Sequence, residues 1–369
     1  MKKILHTLFI SLSVIVHAQT TVIPDPAFEQ ALIDLGYDDV IDGVVTTANI
    51  VNVQFLDVSM KNIGDLTGIE DFDSLSALDC HDNQLTSLEL SHFDNLSGLD
   101  CHNNQLINLD VSQFESLWNL DCYNNQITFL DVSQHNDLVF LFCGNNQLDT
   151  LIMPEASQNF RELEVSNNNL THLEMTNYGL MAWIAAENNQ LNSVDLSGST
   201  VEFAIFLNNN LITEINLDGS DLSYLIIENN QLSSIDLSEQ LNLQWFSAIE
   251  NPGLDCIKVS QEQLENIPSD PNTGLWTVDA STSYALECST ANLNESTPTS
   301  LNLFPNPTKN ILNITGIEPG KNYAIYSHAG NKVDVGSLAE SREINIEGIS
   351  NGFYFLSIDG NRFHKFCKN

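Results

Sequence analysis

The sequence predicts a mainly β solenoid of short stacked coils, opened by a short helical cap and followed by a small C-terminal β-sandwich. Three observations carry this expectation: an asparagine at a near-constant interval, a fixed apolar pattern around it, and a change of charge and strand pattern after residue 300. Asn62, Asn83, Asn104, Asn125, Asn146, Asn168, Asn189, Asn209, Asn230 and Asn251 are separated by 21, 21, 21, 21, 22, 21, 20, 21 and 21 residues. Around them run Leu75-x-x-Leu78-x-Cys80-x-x-Asn83-x-Leu85, Leu96-x-x-Leu99-x-Cys101-x-x-Asn104-x-Leu106 and so on to Leu222-x-x-Leu225-x-Ile227-x-x-Asn230-x-Leu232. A fixed period of this kind means one supersecondary unit repeated along an axis.

Residues 1–18 read as an export signal. Lys2 and Lys3 form a basic start, Ile4 to Val16 an apolar run broken by polar residues, and Val16-His17-Ala18 a cleavage site before Gln19. The run is too short to span a membrane comfortably, and no Cys follows the site to take a lipid. Residues 19–44 are expected to cap the open end of the stack. Asp25 is placed as the N-cap of a helix and Pro26 at its first position; Phe28, Leu32 and Leu35 share a face, and Gly36 ends it.

Residues 45–255 are the solenoid. The L-x-L part of each repeat reads as a short strand with alternate side chains pointing inward, and stacked copies form a parallel sheet. Asn follows because its amide both donates to and accepts from backbone groups that an inward turn leaves unpaired. Asn83, Asn104, Asn125, Asn146, Asn168, Asn189, Asn209 and Asn230 are therefore expected to stack as a structural ladder. The rest of each repeat has its own echo, as in Leu109-x-Val111-Ser112 and Ile235-x-Leu237-Ser238. A coil of about 21 residues leaves no room for a long helix. The pattern resembles the short, nested class of bacterial leucine-rich repeats.

Residues 256–288 are the expected C-terminal cap. Asn251-Pro252-Gly253 breaks the pattern, and Trp276 lies between Cys256 and Cys288. Export implies an oxidising compartment, so these two cysteines are expected to pair, worth roughly 3–4 kcal/mol through loop closure. The arrangement resembles the disulfide-closed caps of related exported repeat proteins. Residues 289–300 are polar, without periodicity, and read as a linker.

Residues 301–369 carry Phe304-Pro305-Asn306-Pro307, Gly330-Asn331-Lys332-Val333 and Asn351-Gly352-Phe353-Tyr354-Phe355, spaced as strands and turns of a small sandwich. This segment resembles the type A C-terminal sorting domain of the type IX secretion system. The resemblance implies passage through the outer membrane of a Gram-negative cell, removal of the domain, and release or attachment to anionic surface polysaccharide. Cys367 stands where that family usually has an aliphatic residue, which leaves a free thiol.

Charge follows the same division. Seven of the twelve basic residues and only six of the 49 acidic ones lie in 301–369. Between the signal and that segment stand 43 acids against Lys61, Arg161 and Lys258, a net charge of about −40. Such a body adds like charge to a phosphate surface instead of releasing counterions, which excludes nucleic acid and anionic lipid as partners. Membrane insertion is not expected either.

Chemistry leaves few candidates. No G-x-S-x-G, H-E-x-x-H or P-loop occurs, so an enzyme is not expected. Cys80, Cys101, Cys122 and Cys143, two of them followed by His81 and His102, occupy an inward position that holds Ala186, Ile227 and Ala248 in later coils. They read as small buried hydrophobes, and no cofactor or metal site is assigned to them. Acidic residues form columns at Asp79, Asp100 and Asp121 and at Glu89, Asp110, Asp131, Glu174, Asp195 and Asp236. Carboxylates about 4.8 Å apart repel, so they read as a solvated acidic surface or as a weak Ca2+ site. Asp38-Asp39-x-x-Asp42-Gly43 departs from the EF-hand loop at its third and twelfth positions. Outward strand positions turn aromatic along the stack, and Phe140, Phe142, Trp183, Phe203, Ile205, Tyr224 and Trp245 are the expected ligand-binding face. The leucine-rich-repeat resemblance implies an unknown protein or glycan as ligand, with a calcium-binding structural or matrix role as the alternative.

Overall fold

A computed structural model describes residues 19–93, 95–114, 116–155, 157–267, 276–288, 302–315, 317, 319–327, 332–358 and 361–368. The export signal at 1–18, the linker at 289–300 and the Gly330-Asn331 turn lie outside the described residues. No helix among the described residues is long and apolar enough to cross a membrane.

The N-terminal cap is the helix Pro26–Asp34 beside the antiparallel pair Thr20–Val22 and Val44–Thr46. Asp25 caps the helix through Oδ1, which accepts from Ala27 N at 2.8 Å. Its Oδ2 accepts from Gly64 N at 2.7 Å and Asp65 N at 2.9 Å, tying the cap to the first coil. Burial opposes ionisation, but these backbone donors hold the Asp25 carboxyl below its usual range. Phe28, Ala31 and Leu32 are the buried apolar side chains of the helix. Leu35, expected on that face, is instead 44% exposed because the helix has ended and Leu35 is its C-cap.

Among the described residues, eleven strands form one parallel sheet, from Phe55–Asp57 through Ala77–Asp79, Gly98–Asp100 and on to Trp245–Ser247 and Trp276–Thr277. Successive coils pair with offsets of 20 to 22 residues, as in Leu99↔Leu120, Leu141↔Leu163 and Leu225↔Phe246. Each central strand residue points inward, and so does the residue two further on, giving the buried column Cys80, Cys101, Cys122, Cys143, Val165, Ala186, Leu207, Ile227 and Ala248. Burying a Leu or Ile side chain stabilises by about 1.5–3 kcal/mol, repeated in every coil. On the other side of the coils the second segments pair into small parallel sheets, such as Phe129–Asp131 with Thr150–Ile152 and Ser193–Asp195 with Glu214–Asn216. The fold is a leucine-rich-repeat solenoid.

Asparagine joins the coils. Asn104 Nδ2 donates to the carbonyls of Cys80 (3.0 Å) and Cys101 (3.1 Å), while its Oδ1 accepts from Leu85 N at 2.9 Å. The same three bonds recur at Asn83, Asn125, Asn146, Asn168, Asn189, Asn230 and Asn251. One assignment needs correction: Asn210, not Asn209, fills the ladder position, bonding Ala186 O, Leu207 O and Leu191 N. The run Asn208-Asn209-Asn210 fits the period in either frame, and strand register decides between them by placing Leu207 inside. At the start of the stack the offset Phe55↔Ala77 likewise sets Lys61, rather than Asn62, level with Asn83.

Asn209 belongs to a second column that the sequence reading missed. Asp82, Asn103, Asn124, Asn145, Asn167, Asn188, Asn209, Asn229 and Glu250 all hold φ between 51° and 59°. Asn is among the few residues that tolerate this left-handed conformation. Side chains in the column link coil to coil, Asn124 Nδ2 to Asn103 Oδ1 at 2.7 Å and Asn209 Nδ2 to Asn188 Oδ1 at 2.7 Å.

At the far end Cys256 and Cys288 are disulfide-bonded across 32 residues. Ser260 and Gln263 make a capping box on the helix Gln261–Asn266, and Gln263 Nε2 donates to Leu237 O and Gln240 O. Trp276 packs edge-on against Phe246 with ring centroids 5.4 Å apart, covering the last coil. The C-terminal segment has its own core, which includes Leu312, Ile325, Ile344, Leu356 and Phe366, between two antiparallel sheets. Cys367 is half-buried and forms no disulfide.

Two expectations follow for stability. Asn125→Ala strands buried backbone partners and lowers unfolding free energy by about 1–3 kcal/mol in urea titration. Asn209→Ala, at an exposed position, strands no buried partner but puts Ala at a left-handed φ of 58°, and costs about 1 kcal/mol. His135 occupies the column of Phe72, Phe93 and Phe114 and is 1% exposed. Burial pushes its imidazole below the usual value, and the nearby carbonyls of Phe114 and Val111 only partly offset this. Its contribution is present above an unfolded pKa of about 6.5 and is lost as pH falls through that value toward the depressed folded one. The thermal midpoint of His135→Phe should therefore gain on the wild type between pH 7.5 and 5.5; a gap independent of pH would show that His135 does not titrate on unfolding.

Candidate ligand-recognition face

Because side chains alternate along each strand, two residues per strand and one beyond it project from the sheet away from the core. In the first coils these are mostly small or polar, apart from Phe55 on the first strand, which is 59% exposed. Ala77, Gly98 and Asn119 stand in register, as do Asp79, Asp100 and Asp121, followed by His81, His102 and Tyr123. From the next coil the positions become Phe140 and Phe142, then Glu162 and Glu164, Trp183 and Ala185, Ala204 and Phe206, Tyr224 and Ile226, and Trp245 and Ser247.

The aromatic residues touch one another. Phe140 and Phe142 lie 6.3 Å apart, centroid to centroid, and Phe142 and Trp183 also 6.3 Å, reaching across the glutamate coil. Phe203 tilts against Tyr224 at 5.1 Å and is 53% exposed. Its position comes from an irregularity: Met181 pairs with Val201 but Trp183 pairs with Ala204, so the strand Thr200–Phe206 carries an extra residue and bulges at Phe203.

The same shift overturns one assignment. Ile205 is fully buried, aligned with Ile184 and Leu225 in the core, and cannot touch a ligand. Leu207 is buried as well, and Phe206 is the outward residue of that coil. Trp118, which the sequence reading passed over, extends the aromatic group: it meets Phe140 edge-on at 6.0 Å and is 45% exposed. Its signal lay in Leu117-Trp118-Asn119-Leu120, where the two residues between inward leucines must face out.

Charge threads this surface. Burial and Glu187 together push the Glu164 carboxyl above its usual value. Burial, with the repulsion of Asp100, does the same to Asp121. For His81 burial acts downward, but Asp79, Asp100 and Asp82 outweigh it and hold the imidazole above its usual value. The recurrent carboxylates also close turns: Asp110, Asp131, Asp195 and Asp236 each accept the backbone N–H of the serine two residues on, at 2.9–3.0 Å. The acid at that place is thus an Asx-turn former. Cys80, Cys101, Cys122 and Cys143 are free and buried, and burial drives all four thiols well up from their usual value.

Fold and sequence pattern together define an exported leucine-rich-repeat protein with a C-terminal secretion tail. Residues 302–368 match the family of secretion system C-terminal sorting domains, which marks a secreted or cell-surface protein that meets the secretion machinery through this segment. Among solved structures, the functional domain of InlJ from Listeria monocytogenes, described as including a cysteine ladder, is 22% identical, covering 72% of this chain and 70% of its own, with a TM-score of 0.51. An internalin C2 from Listeria monocytogenes is 20% identical over 71% of this chain and 99% of its own, with a TM-score of 0.42. The first of these shows a shared fold. No curated protein matches the chain significantly.

Proposed function

We propose that this is a surface recognition module for a protein or glycan ligand, exported by the type IX secretion system of a Gram-negative cell and then released or held at the surface. The observation that carries the reading is the set of partly exposed aromatic rings on the outer face, Trp118, Phe140, Phe142 and Trp183 in one touching group, Phe203 and Tyr224 in another, and Trp245 beyond them. Large apolar rings left on one solvent face cost solubility, and rings of this kind are the usual anchors of interfaces. Phe140, Phe142, Trp183, Phe203, Tyr224 and Trp245 stay in the proposed face, joined by Trp118 and Phe206, with Ile205 withdrawn. Interspersed glutamates supply hydrogen-bond acceptors, which suits sugar hydroxyls or a polar protein rim. Recognition, rather than catalysis or a calcium-built matrix role, is the reading this surface supports best, since the recurrent aspartates of the second segments serve their own turns.

The test is capture of extracellular proteins and an arrayed glycan set by the purified exported protein, with calcium and with chelator. Trp183→Ala and Phe203→Ala should each weaken a captured ligand about tenfold or more, the loss typical of a hot-spot side chain. Phe203 is exposed and Trp183 is half-buried on the outer face, so neither truncation opens the core and the thermal midpoint should change little. Unaltered affinity in both variants would move the site elsewhere, and calcium-dependent self-association without a ligand would favour the matrix role.

A further inference from the structure

The first coils carry a second arrangement, distinct from the aromatic face. Asp-x-His occurs at 79–81 and again at 100–102, one repeat apart. Register therefore stacks the two imidazoles: the rings of His81 and His102 lie 4.4 Å apart, centroid to centroid, and within 7° of parallel. Each ring is anchored from behind in the same way. His81 Nδ1 is 2.5 Å from Asp79 Oδ1, and His102 Nδ1 is 2.6 Å from Asp100 Oδ1. Asp100 Oδ2 also lies 3.9 Å from His81 Nδ1, so His81, Asp100 and His102 bring ligand atoms within 4.8 Å of one another.

With Nδ1 of each ring committed to a carboxylate, both Nε2 atoms are free to act together. Both face Asp82, whose Oδ2 is 3.6 Å from His81 Nε2 and 3.8 Å from His102 Nε2. Asp82 is itself oriented, since its Oδ1 accepts from Asn103 Nδ2 at 2.9 Å. Two donors on one tetrahedral ion at about 2.1 Å are about 3.4 Å apart. The two separations to Asp82 exceed that by a few tenths of an ångström, and the stacked rings must splay apart for both Nε2 lone pairs to converge on one ion. Imidazoles whose far nitrogen is held by a carboxylate are the arrangement that orients metal-ligating histidines and raises their basicity. Both side chains are mostly shielded, 16% and 24% exposed.

We infer that His81, His102 and Asp82 form a site for one divalent ion of the zinc class, with Asp79 and Asp100 as the carboxylates behind the rings. Two nitrogens and one oxygen favour zinc, copper or nickel over calcium, which takes oxygen ligands only. Three protein ligands leave a position open to water or to a donor from a bound partner. The site ends within two coils: Asp57 is followed by Ser59 and Asp121 by Tyr123, so neither neighbouring coil repeats the imidazole. The buried Cys80 and Cys101 project to the opposite face of the same strands and take no part.

The test uses the full, untagged chain titrated with Zn2+ against a chromophoric chelator in millimolar Ca2+, which saturates the acidic surface. One equivalent should bind. His81→Gln and His102→Gln should each weaken it at least tenfold and Asp82→Asn several-fold, whereas His92→Gln, on an exposed turn, should leave it unchanged. Thermal midpoints without zinc check that each variant folds. In the unmodified protein one equivalent of Co2+ should give ligand-field absorption without a thiolate charge-transfer band, a readout independent of any variant. Zinc binding that survives in the His81→Gln/His102→Gln double variant, that calcium displaces, or that shows sulfur ligation would overturn the assignment.

Discussion

Each coil turns its backbone inward once, and the polar groups exposed there must find partners without water. That constraint governs the rest of the molecule. A buried amide left unpaired costs about 1–3 kcal/mol, and a stack of coils would meet the cost at every step. Asn answers it at one position because its side chain presents a donor and an acceptor in the same spacing as a peptide group. The Nδ2 group of Asn125 reaches carbonyls in its own coil and the one before, at Cys122 and Cys101, so the bond that closes a turn is also the bond that joins neighbours. Contacts in such a stack run only between nearest coils. The ladder therefore fixes the offset between coils and, through it, which side chains meet water.

This dependence explains what was legible in the sequence and what was not. The period and the inward leucine and cysteine columns rest on patterns that repeat, and repetition survives a small error in any one copy. Asn209 and Ile205 fail for one shared reason. Three successive asparagines offered two frames, and because strand side chains alternate, a shift of one residue exchanges inside for outside. Only the pairing of Ile184 with Ile205, beyond a bulge at Phe203, resolves the frame. The second asparagine column was equally hidden, since a left-handed φ leaves no apolar period and shows itself only as an Asn-Asn pair. His81 and His102 were visible as letters, but their stacking distance depends on register, which the letters alone do not carry.

A net charge of about −40 opposes the stacking of carboxylates. The structure spreads the strain among three arrangements. On the second segments each aspartate accepts its own turn's N–H group, as Asp131 does from Ser133, so the charge is solvated on one side and hydrogen-bonded on the other. On the sheet face of the first coils, imidazoles stand beside Asp79 and Asp100. In the later coils acids become sparser at these positions and rings take their place, with Glu164 left among them and its carboxyl pushed up by burial. The outer face is thus divided along its length into an ionic part and an aromatic part, and the division follows from how many like charges adjacent strands can carry.

Cysteine shows the same economy of position. Cys80, Cys101, Cys122 and Cys143 sit on adjacent, in-register strands about 4.8 Å apart, a backbone spacing that by itself permits a disulfide. Yet parallel register aims their side chains in the same direction, into the core rather than at each other. Burial also holds the thiols protonated, and the thiolate is the form that attacks a disulfide. The four therefore remain free where oxidation prevails. Cys256 and Cys288 differ in one respect that matters: they lie where the repeat has ended, joining the last coil to the segment that covers it. A solenoid has no natural stop, since every coil exposes the apolar face that the next would bury, so the covalent bond is placed at the one step where the ladder can no longer supply the join.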